Sequence, residues 1–250
     1  MKLLSSPQIL LKNTPETYYW MGFFMADATF IQNRLKIHLA KRDIGHIKKI
    51  KKYLKYTGKN KKPAFSVVDH ITIPLLRQKF DIKPQKTYNP PNLKKIFKNT
   101  SPKLIFSFIV GYIDGDGSIY RGTDNKNKTY LALKGHKTSF KNFCYMVNFL
   151  QTFLKIKTPT PFINSQGYAD FKCGKNESLI AIKRKVLSLS LPVLKRKWSK
   201  INLNRTTQYM IGIKNKQNID KLKQANLTNS QIAKKLKISK STVTKHTKRM

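Results

Sequence analysis

Acidic residues are scarce in this sequence: 11 Asp and Glu stand against 51 Lys and Arg, a formal charge of +40 over 250 residues. Such a field draws polyanions, nucleic acid first and an anionic membrane surface second. Cysteine is nearly absent. Cys144 and Cys173 stand far apart, without the paired spacing of a zinc site and too few for a disulfide framework. Long apolar runs are missing too. The longest, around Tyr18–Ala28 and Leu104–Ile113, fall well short of a bilayer span, and no charged-then-apolar leader opens the chain. What is there is a 40% hydrophobic fraction, enough to build a core. The length suits one large domain or two modest ones. Abundant Lys, Asn and Ile reads as AT-rich coding, which suits an organelle, a phage or a large virus and decides among none of them.

Because acids are few, their placement is informative. Asp27 ends the apolar segment Gly22-Phe-Phe-Met-Ala-Asp-Ala28, and Asp116 ends Gly111-Tyr-Ile-Asp-Gly-Asp-Gly117. Thr14-Pro15 and Ser101-Pro102 precede the two segments and read as an N-cap followed by proline in the first helical turn. Each segment is expected to be a helix of about three turns ending near its acid. A short hydroxyl-bearing piece and an alternating strand follow in both places, Leu35–Leu39 and Leu131–Lys134.

The repeat runs on. Amphipathic helices are expected over Ile44–Tyr56 and Phe140–Leu154. A second strand pair is expected at Phe65–Val68 with Ile71–Ile73, matched by Pro161–Ile163 with Ala169–Cys173. Closing helices are expected at Leu75–Phe80 and Ser178–Leu189. Asp27 and Asp116 are 89 residues apart, a period too long for a solenoid and suited to a duplicated α/β half-domain.

Gly22 and Ala26, like Gly111 and Gly115, are four apart, so small residues stack on one helix face and let two backbones approach. Taken singly, such a face is ordinary packing and an Asp at a helix end is merely solvated. The duplication within a chain of +40 argues otherwise. Crossed helices would bring Asp27 and Asp116 together, and paired carboxylates call for a cation between them. Oxygen ligands suit Mg²⁺. An acid pair holding a cation inside a DNA-attracting field is what phosphodiester hydrolysis needs.

On these residues the chain resembles the LAGLIDADG homing endonucleases in their single-chain form. Trp20–Ala28 and Ile109–Gly117 take the place of the nine-residue motif, and the resemblance covers roughly residues 10 to 205. Met25 stands in for the motif's first acid and Ala28 for its last glycine, while both copies keep the metal-binding acid; Asp114 reads as structural. The resemblance implies an α+β fold of two pseudo-symmetric αββαββα half-domains, residues 1–100 and 101–205, packed through their motif helices. It implies a monomeric site-specific double-strand DNA endonuclease, dependent on Mg²⁺ or Mn²⁺, cutting across the minor groove to leave short 3′ overhangs and promoting the mobility of its own gene. Double-stranded DNA is the expected partner, with no membrane and no protein partner. The alternative is an intron RNA-splicing maturase or a DNA-binding regulator of the same fold without cleavage.

Site residues follow from the same resemblance. Asp27 and Asp116 would bind metal together with Ala28 and Gly117; His38 and Lys134 would organise the attacking water; Lys86 and Lys197 would border the site. Strand alternation puts Leu35, Ile37 and Leu39 on one face, with Arg34, Lys36 and His38 on the other. In the second half Leu131 and Leu133 face inward, leaving Tyr130, Ala132, Lys134 and His136 outward. Arg34, Lys36, His38, Tyr130, Lys134, His136 and Lys172 are the expected DNA contacts.

Residues 214–250 do not belong to the repeat. Thr228 and Ser239 read as N-caps of two short helices sharing Ile232, Ala233, Leu236, Ile238 and Val243 as a small core. The segment resembles an all-α helix-turn-helix DNA-binding module, with Ser239–Lys248 as recognition helix and Lys240, Ser241, Thr244 and Lys245 reaching the groove. Lys237 stands where a turn glycine is usual.

Overall fold

Proline opens both motif helices. In the first half α1 (Pro15–Asp27) leads into the hairpin of β1 (Thr29–Ile31) and β2 (Arg34–His38). Then come α2 (Ile44–Tyr53), β3 (Ala64–Val68), α3 (Thr72–Lys79) and the short α4 (Leu93–Ile96). The second half runs α5 (Pro102–Gly115), β4 (Ser118–Arg121), β5 (Thr129–His136) and α6 (Phe140–Leu154). It continues through β6 (Phe162–Ile163), β7 (Tyr168–Cys173), α7 (Asn176–Ser188) and the short α8 (Lys195–Trp198). This computed structural model describes residues 6–58, 63–123, 128–203, 218–236 and 238–247. The chain divides into two compact units, residues 1–203 and 204–250.

The first unit is organised around α1 and α5. A Cβ on Gly22 would lie 1.9 Å from the Phe108 carbonyl oxygen, and one on Gly111 would lie 1.9 Å from that of Tyr19. Only hydrogen fits between these backbones. Toward the C-terminal ends Gly115 faces Ala26, where an added Cβ would lie 2.3 Å from the alanine methyl. These pairings climb both helices together, so α1 and α5 run parallel and finish at the same end.

Each sheet packs one face on the helical layer. The first sheet has the order β1-β2-β3 and the second β4-β5-β7-β6, all antiparallel. Leu35, Ile37, Phe65 and Val67 point inward in the first, Leu131, Leu133, Ala169 and Phe171 in the second. They share a core with Ile47 and Ile50 of α2 and Phe143, Met146 and Leu150 of α6.

Two expectations need correction. Ile71–Ile73 is not a strand: the Asp69 carboxylate accepts from the Ile71 and Thr72 amides at 3.0 and 2.5 Å, turning the chain directly into α3. The 64–68 strand pairs with β2 as β7 pairs with β5, so it corresponds to β7 rather than β6, and the described part of the first half has three strands. Ser101 does not cap α5 with its side chain. The amides of Leu104 and Ile105 donate to its backbone carbonyl instead. Thr14 does cap α1, accepting from the Thr17 amide at 3.2 Å.

The second unit has three described helices where two were expected: α9 (218–224), α10 (Asn229–Leu236) and α11 (Lys240–Thr247). Ile219 joins Ile232, Ala233 and Val243 in its buried core. Thr228 and Gln231 form a reciprocal cap: the Thr228 amide donates to the Gln231 side-chain carbonyl at 2.8 Å, and the Gln231 amide to the Thr228 hydroxyl at 3.4 Å. Lys237, Lys248 and the side chain of Lys245 lie outside the described residues. Among the described residues no helix is long and apolar enough to cross a membrane.

Gly22→Ala should destabilise the first unit by about 3 kcal/mol, because overpacking here displaces backbone rather than a side-chain tip. Gly45→Ala, in α2 with nothing within 4 Å of its added methyl, should stabilise by roughly 0.5 kcal/mol. Urea denaturation of both variants checks the contrast.

Candidate active site and nucleic-acid interface

The parallel helices deliver Asp27 and Asp116 to one end of the unit. Both are exposed, yet the converging helix ends crowd protein around their carboxylates and partly desolvate them. That burial raises Asp27 to a pKa of about 6, with the charge of Asp116 adding to it and Lys197 and Lys86 opposing. Asp116 is raised as well, by burial, while Lys86 and a hydrogen bond from the Tyr112 hydroxyl pull it back down. Tyr112 has no hydroxyl counterpart in the first half, since the residue 89 positions earlier is Phe23. Among the described residues the ion pairs are Lys83–Asp81 and Arg196–Asp43, so in this very basic chain neither Asp27 nor Asp116 is closed by a cation within 4 Å.

Lys86 and Lys197 cap the carbonyl ends of the two helices. Lys86 donates to the carbonyls of Met25 and Ala26, the latter at 2.7 Å. Lys197 donates to those of Ile113 at 3.1 Å, Asp114 at 2.5 Å, Gly115 at 3.2 Å and Gly117 at 2.6 Å. A cation at a helix C-terminus satisfies orphan carbonyls and opposes the dipole. Burial lowers the pKa of both ammonium groups, and the neighbouring carboxylates work against that shift.

Each lysine arrives on a segment that also crosses to the other half. The segment carrying Lys86 is held by the Thr138 hydroxyl, donating to the Thr87 carbonyl at 2.7 Å, and by the Asn142 amide, donating to Pro91 at 2.8 Å. The one carrying Lys197 is held by Lys49, donating to the carbonyls of Pro192 and Val193 at 3.2 and 3.0 Å. The Arg196 guanidinium also forks onto Asp43 at 2.6 and 2.7 Å.

Asp114 is structural, as expected. Buried, it accepts from the Tyr19 hydroxyl at 2.7 Å, the Leu194 amide at 2.9 Å and the Trp198 indole at 2.8 Å. The Tyr19 oxygen in turn lies 3.0 Å from His46 Nε2. With its proton committed to Asp114, Tyr19 accepts there, which fixes the Nε2–H tautomer. Burial pushes His46 down to about 3, so it stays neutral. This relay was not read from sequence; the signal available was the polar Tyr19 and His46 within apolar periodicity.

The strand registers place His38 and Lys134 at equivalent positions, since Leu35 and Leu131 face Phe30 and Ile119 of the preceding strands. Their settings differ. Lys134 lines a cavity of about 270 Å³ with Asp116, Lys86, Tyr112 and His136; His38 is not part of that wall. Arg34, Lys36 and His38 are exposed on the face of β2 away from the core. Tyr130 shares the corresponding face of β5 but is covered, stacked on Tyr120 at 5.6 Å under the Lys172 ammonium, 4.2 Å from its ring centroid. The Tyr130 ring is thus a platform for the Lys172 ammonium. His136 is likewise engaged, edge-on to Tyr88 at 5.0 Å. Ala28 is buried, and Gly117 offers a carbonyl that already accepts from Lys197. In the second unit Lys240 and Ser241 are exposed on α11, and the Thr244 hydroxyl donates to the Lys240 carbonyl at 3.0 Å.

Residues 222–250 match the family model described as winged helix-turn-helix DNA-binding. No curated protein matches the chain. Similar solved structures include the meganuclease I-SmaMI bound to uncleaveable DNA, 12% identical, covering 78% of this chain and 95% of that one with a TM-score of 0.49. The LAGLIDADG homing endonuclease I-GzeII in complex with its DNA target is 15% identical over 90% of this chain and 96% of its own, with a TM-score of 0.44. I-LtrWI, a LAGLIDADG homing endonuclease bound to target DNA, is 14% identical over 76% and 86%, with a TM-score of 0.48.

The raised Asp27 has a measurable consequence. Between its ordinary pKa of 3.8 and the folded value of about 6, the folded chain holds a proton that the unfolded chain has released. Stability contributed by this group therefore falls as pH rises through that window. Without divalent cation, Asp27→Asn should melt above the parent at pH 7 and level with it at pH 3.5. Equal melting temperatures at both pH values would contradict the assignment.

Proposed function

We propose that this chain is a DNA endonuclease that hydrolyses one phosphodiester bond in each strand of a long duplex site, acting as a monomer with divalent cations. The observation that carries the reading is the pair Asp27 and Asp116: two carboxylates from two duplicated helices, held at one end in a chain of +40 without an ion-pair partner among the described residues. Carboxylates raised by burial, and at Asp27 also by the charge of Asp116, fit a hard divalent cation, which would neutralise them where the protein does not. Mg²⁺ or Mn²⁺ would be held by Asp27 and Asp116 with the carbonyls at Ala28 and Gly117. Bound there, it would supply a nucleophilic water at neutral pH and neutralise charge on the phosphate.

The chain's own residues do the rest. Lys86 and Lys197 fix the helix ends, and with them the carboxylates, while adding positive charge beside each scissile phosphate. Lys134 and His38 stand at equivalent strand positions and order water at the two sites. The outward faces of the sheets, with Arg34, Lys36 and Lys172, take the phosphates and base edges of the duplex. A binder of the same fold without cleavage would gain nothing from two carboxylates turned toward phosphate.

Selection of linear products from a randomised plasmid library with Mg²⁺ supplies the substrate. Asp27→Asn and Asp116→Asn should each abolish double-strand cutting, with duplex affinity in gel shifts changed less than about threefold. Linearisation by either variant at the parent rate would defeat the proposal.

The 204–250 unit adds affinity rather than chemistry. Eleven basic residues lie between Lys214 and Arg249, against the single acid Asp220. Removing residues 204–250 should weaken binding and flatten the slope of log affinity against log salt by about one unit for each phosphate that is no longer neutralised. Cutting at high protein concentration should persist, since Asp27 and Asp116 lie in the first unit. Lys240, Ser241, Thr244 and Lys245 are the positions assigned to base reading. An unchanged footprint and salt slope would remove the unit from DNA recognition.

A further inference from the structure

Asp170 is the one acid that lies in a strand among the described residues. In β7, Ala169, Phe171 and Cys173 are buried, so Asp170 shares the outward face with Tyr168 and Lys172. That face walls a groove of about 650 Å³ carrying Arg42, Lys134, Lys172, Arg196 and Lys200, with Asp170 as the carboxylate among them. An ion pair with Lys134, directly opposite in register, would be the ordinary explanation. The geometry denies it. The Lys134 ammonium lies 5.1 Å from the Tyr168 ring centroid, the Lys172 ammonium lies over Tyr130, and among the described residues Asp170 forms no ion pair within 4 Å.

A carboxylate in a groove of cations weakens phosphate binding, and it is left desolvated against the duplex unless the duplex offers it a donor. In the major groove the donors are exocyclic amines, and a carboxylate accepts from cytosine N4. Adenine N6 donates only beside the N7 acceptor, which repels a carboxylate, and guanine and thymine edges present acceptors, so one side chain both selects and rejects. We infer that Asp170 is a specificity-determining residue that selects cytosine at one position of the half-site bound by the β4–β7 sheet. The inference rests on the proposed reading of the chain as a site-specific DNA-binding enzyme, and names one of its base contacts.

The test reads binding rather than cutting. The full chain is incubated in EDTA with a duplex library randomised over the bound site, and retained duplexes are sequenced for the parent, Asp170→Ala and Asp170→Asn. The parent should favour cytosine over thymine roughly tenfold at one position. Asp170→Ala should level that position alone and tighten binding to non-specific DNA. Asp170→Asn should move the preference toward adenine, whose N6 and N7 suit an amide. An Asp170→Ala profile identical to the parent's overturns the inference, as does a loss spread over all positions, which would make Asp170 an organiser of Lys134 and Lys172. A parent that enriches no sequence overturns site-specific recognition itself, a different failure from either.

Discussion

The contact of the α1 and α5 backbones at Gly22 and Gly111 is the constraint on which the rest depends. With a carbonyl oxygen where each Cβ would stand, the two helices cannot separate by one methyl without moving both carboxylates. The helices are parallel, so closeness at their middles becomes closeness at their ends. There the peptide dipoles point their negative ends at Asp27 and Asp116, which adds to the mutual repulsion. Lys86 and Lys197 answer the dipoles through the carbonyls rather than closing on the carboxylates within ion-pair distance. The helix ends are thereby stabilised while the acids form no ion pair among the described residues.

A symmetric interface would not by itself tell the two halves apart, and the sequence differs where it matters. Tyr19 meets Asp114 across the interface; the positions related to them by the 89-residue period are Phe108 and Met25. One side thus carries a hydrogen-bonded pair and the other an apolar pair. A buried carboxylate needs its donors, and Tyr19, Leu194 and Trp198 supply three. Exchanging only one partner would strand a polar group, which ties the four positions together. Tyr112 and Phe23 extend the inequality to the acids themselves, since a hydroxyl steadies Asp116 alone.

Much of this was legible because it is written in local patterns. The prolines at Pro15 and Pro102, the small residues on each helix and the period-two alternation of β2 and β5 all act within a few residues of themselves. The elements they define appear where expected. What was misread turns on single contacts. Asp69 converts Ile71–Ile73 from a strand to a helix start through one carboxylate and two amides, and β-branched residues alone give the opposite signal. Other features have no local signal: alternation puts Tyr130 on the outward face, while its cover by Lys172 depends on a residue 42 positions away. The placement of Lys86 and Lys197 came through the family pattern, since nothing local separates one lysine from the many others.

The crossing segments give these lysines a second meaning. Lys86 caps α1 of its own half, while its neighbours Thr87 and Pro91 are held by Thr138 and Asn142 of the other. Lys197 caps α5, and its neighbour Arg196 forks onto Asp43 of the first half. Each helix end is therefore stabilised from its own half but registered against the other, at the start of the helix that follows β2 or β5. A shift of one sheet against the other would pull on both lysine segments, and through them on both carboxylates. Coupling of this kind ties the spacing between Asp27 and Asp116 to the register of the two sheets, so that neither changes without the other.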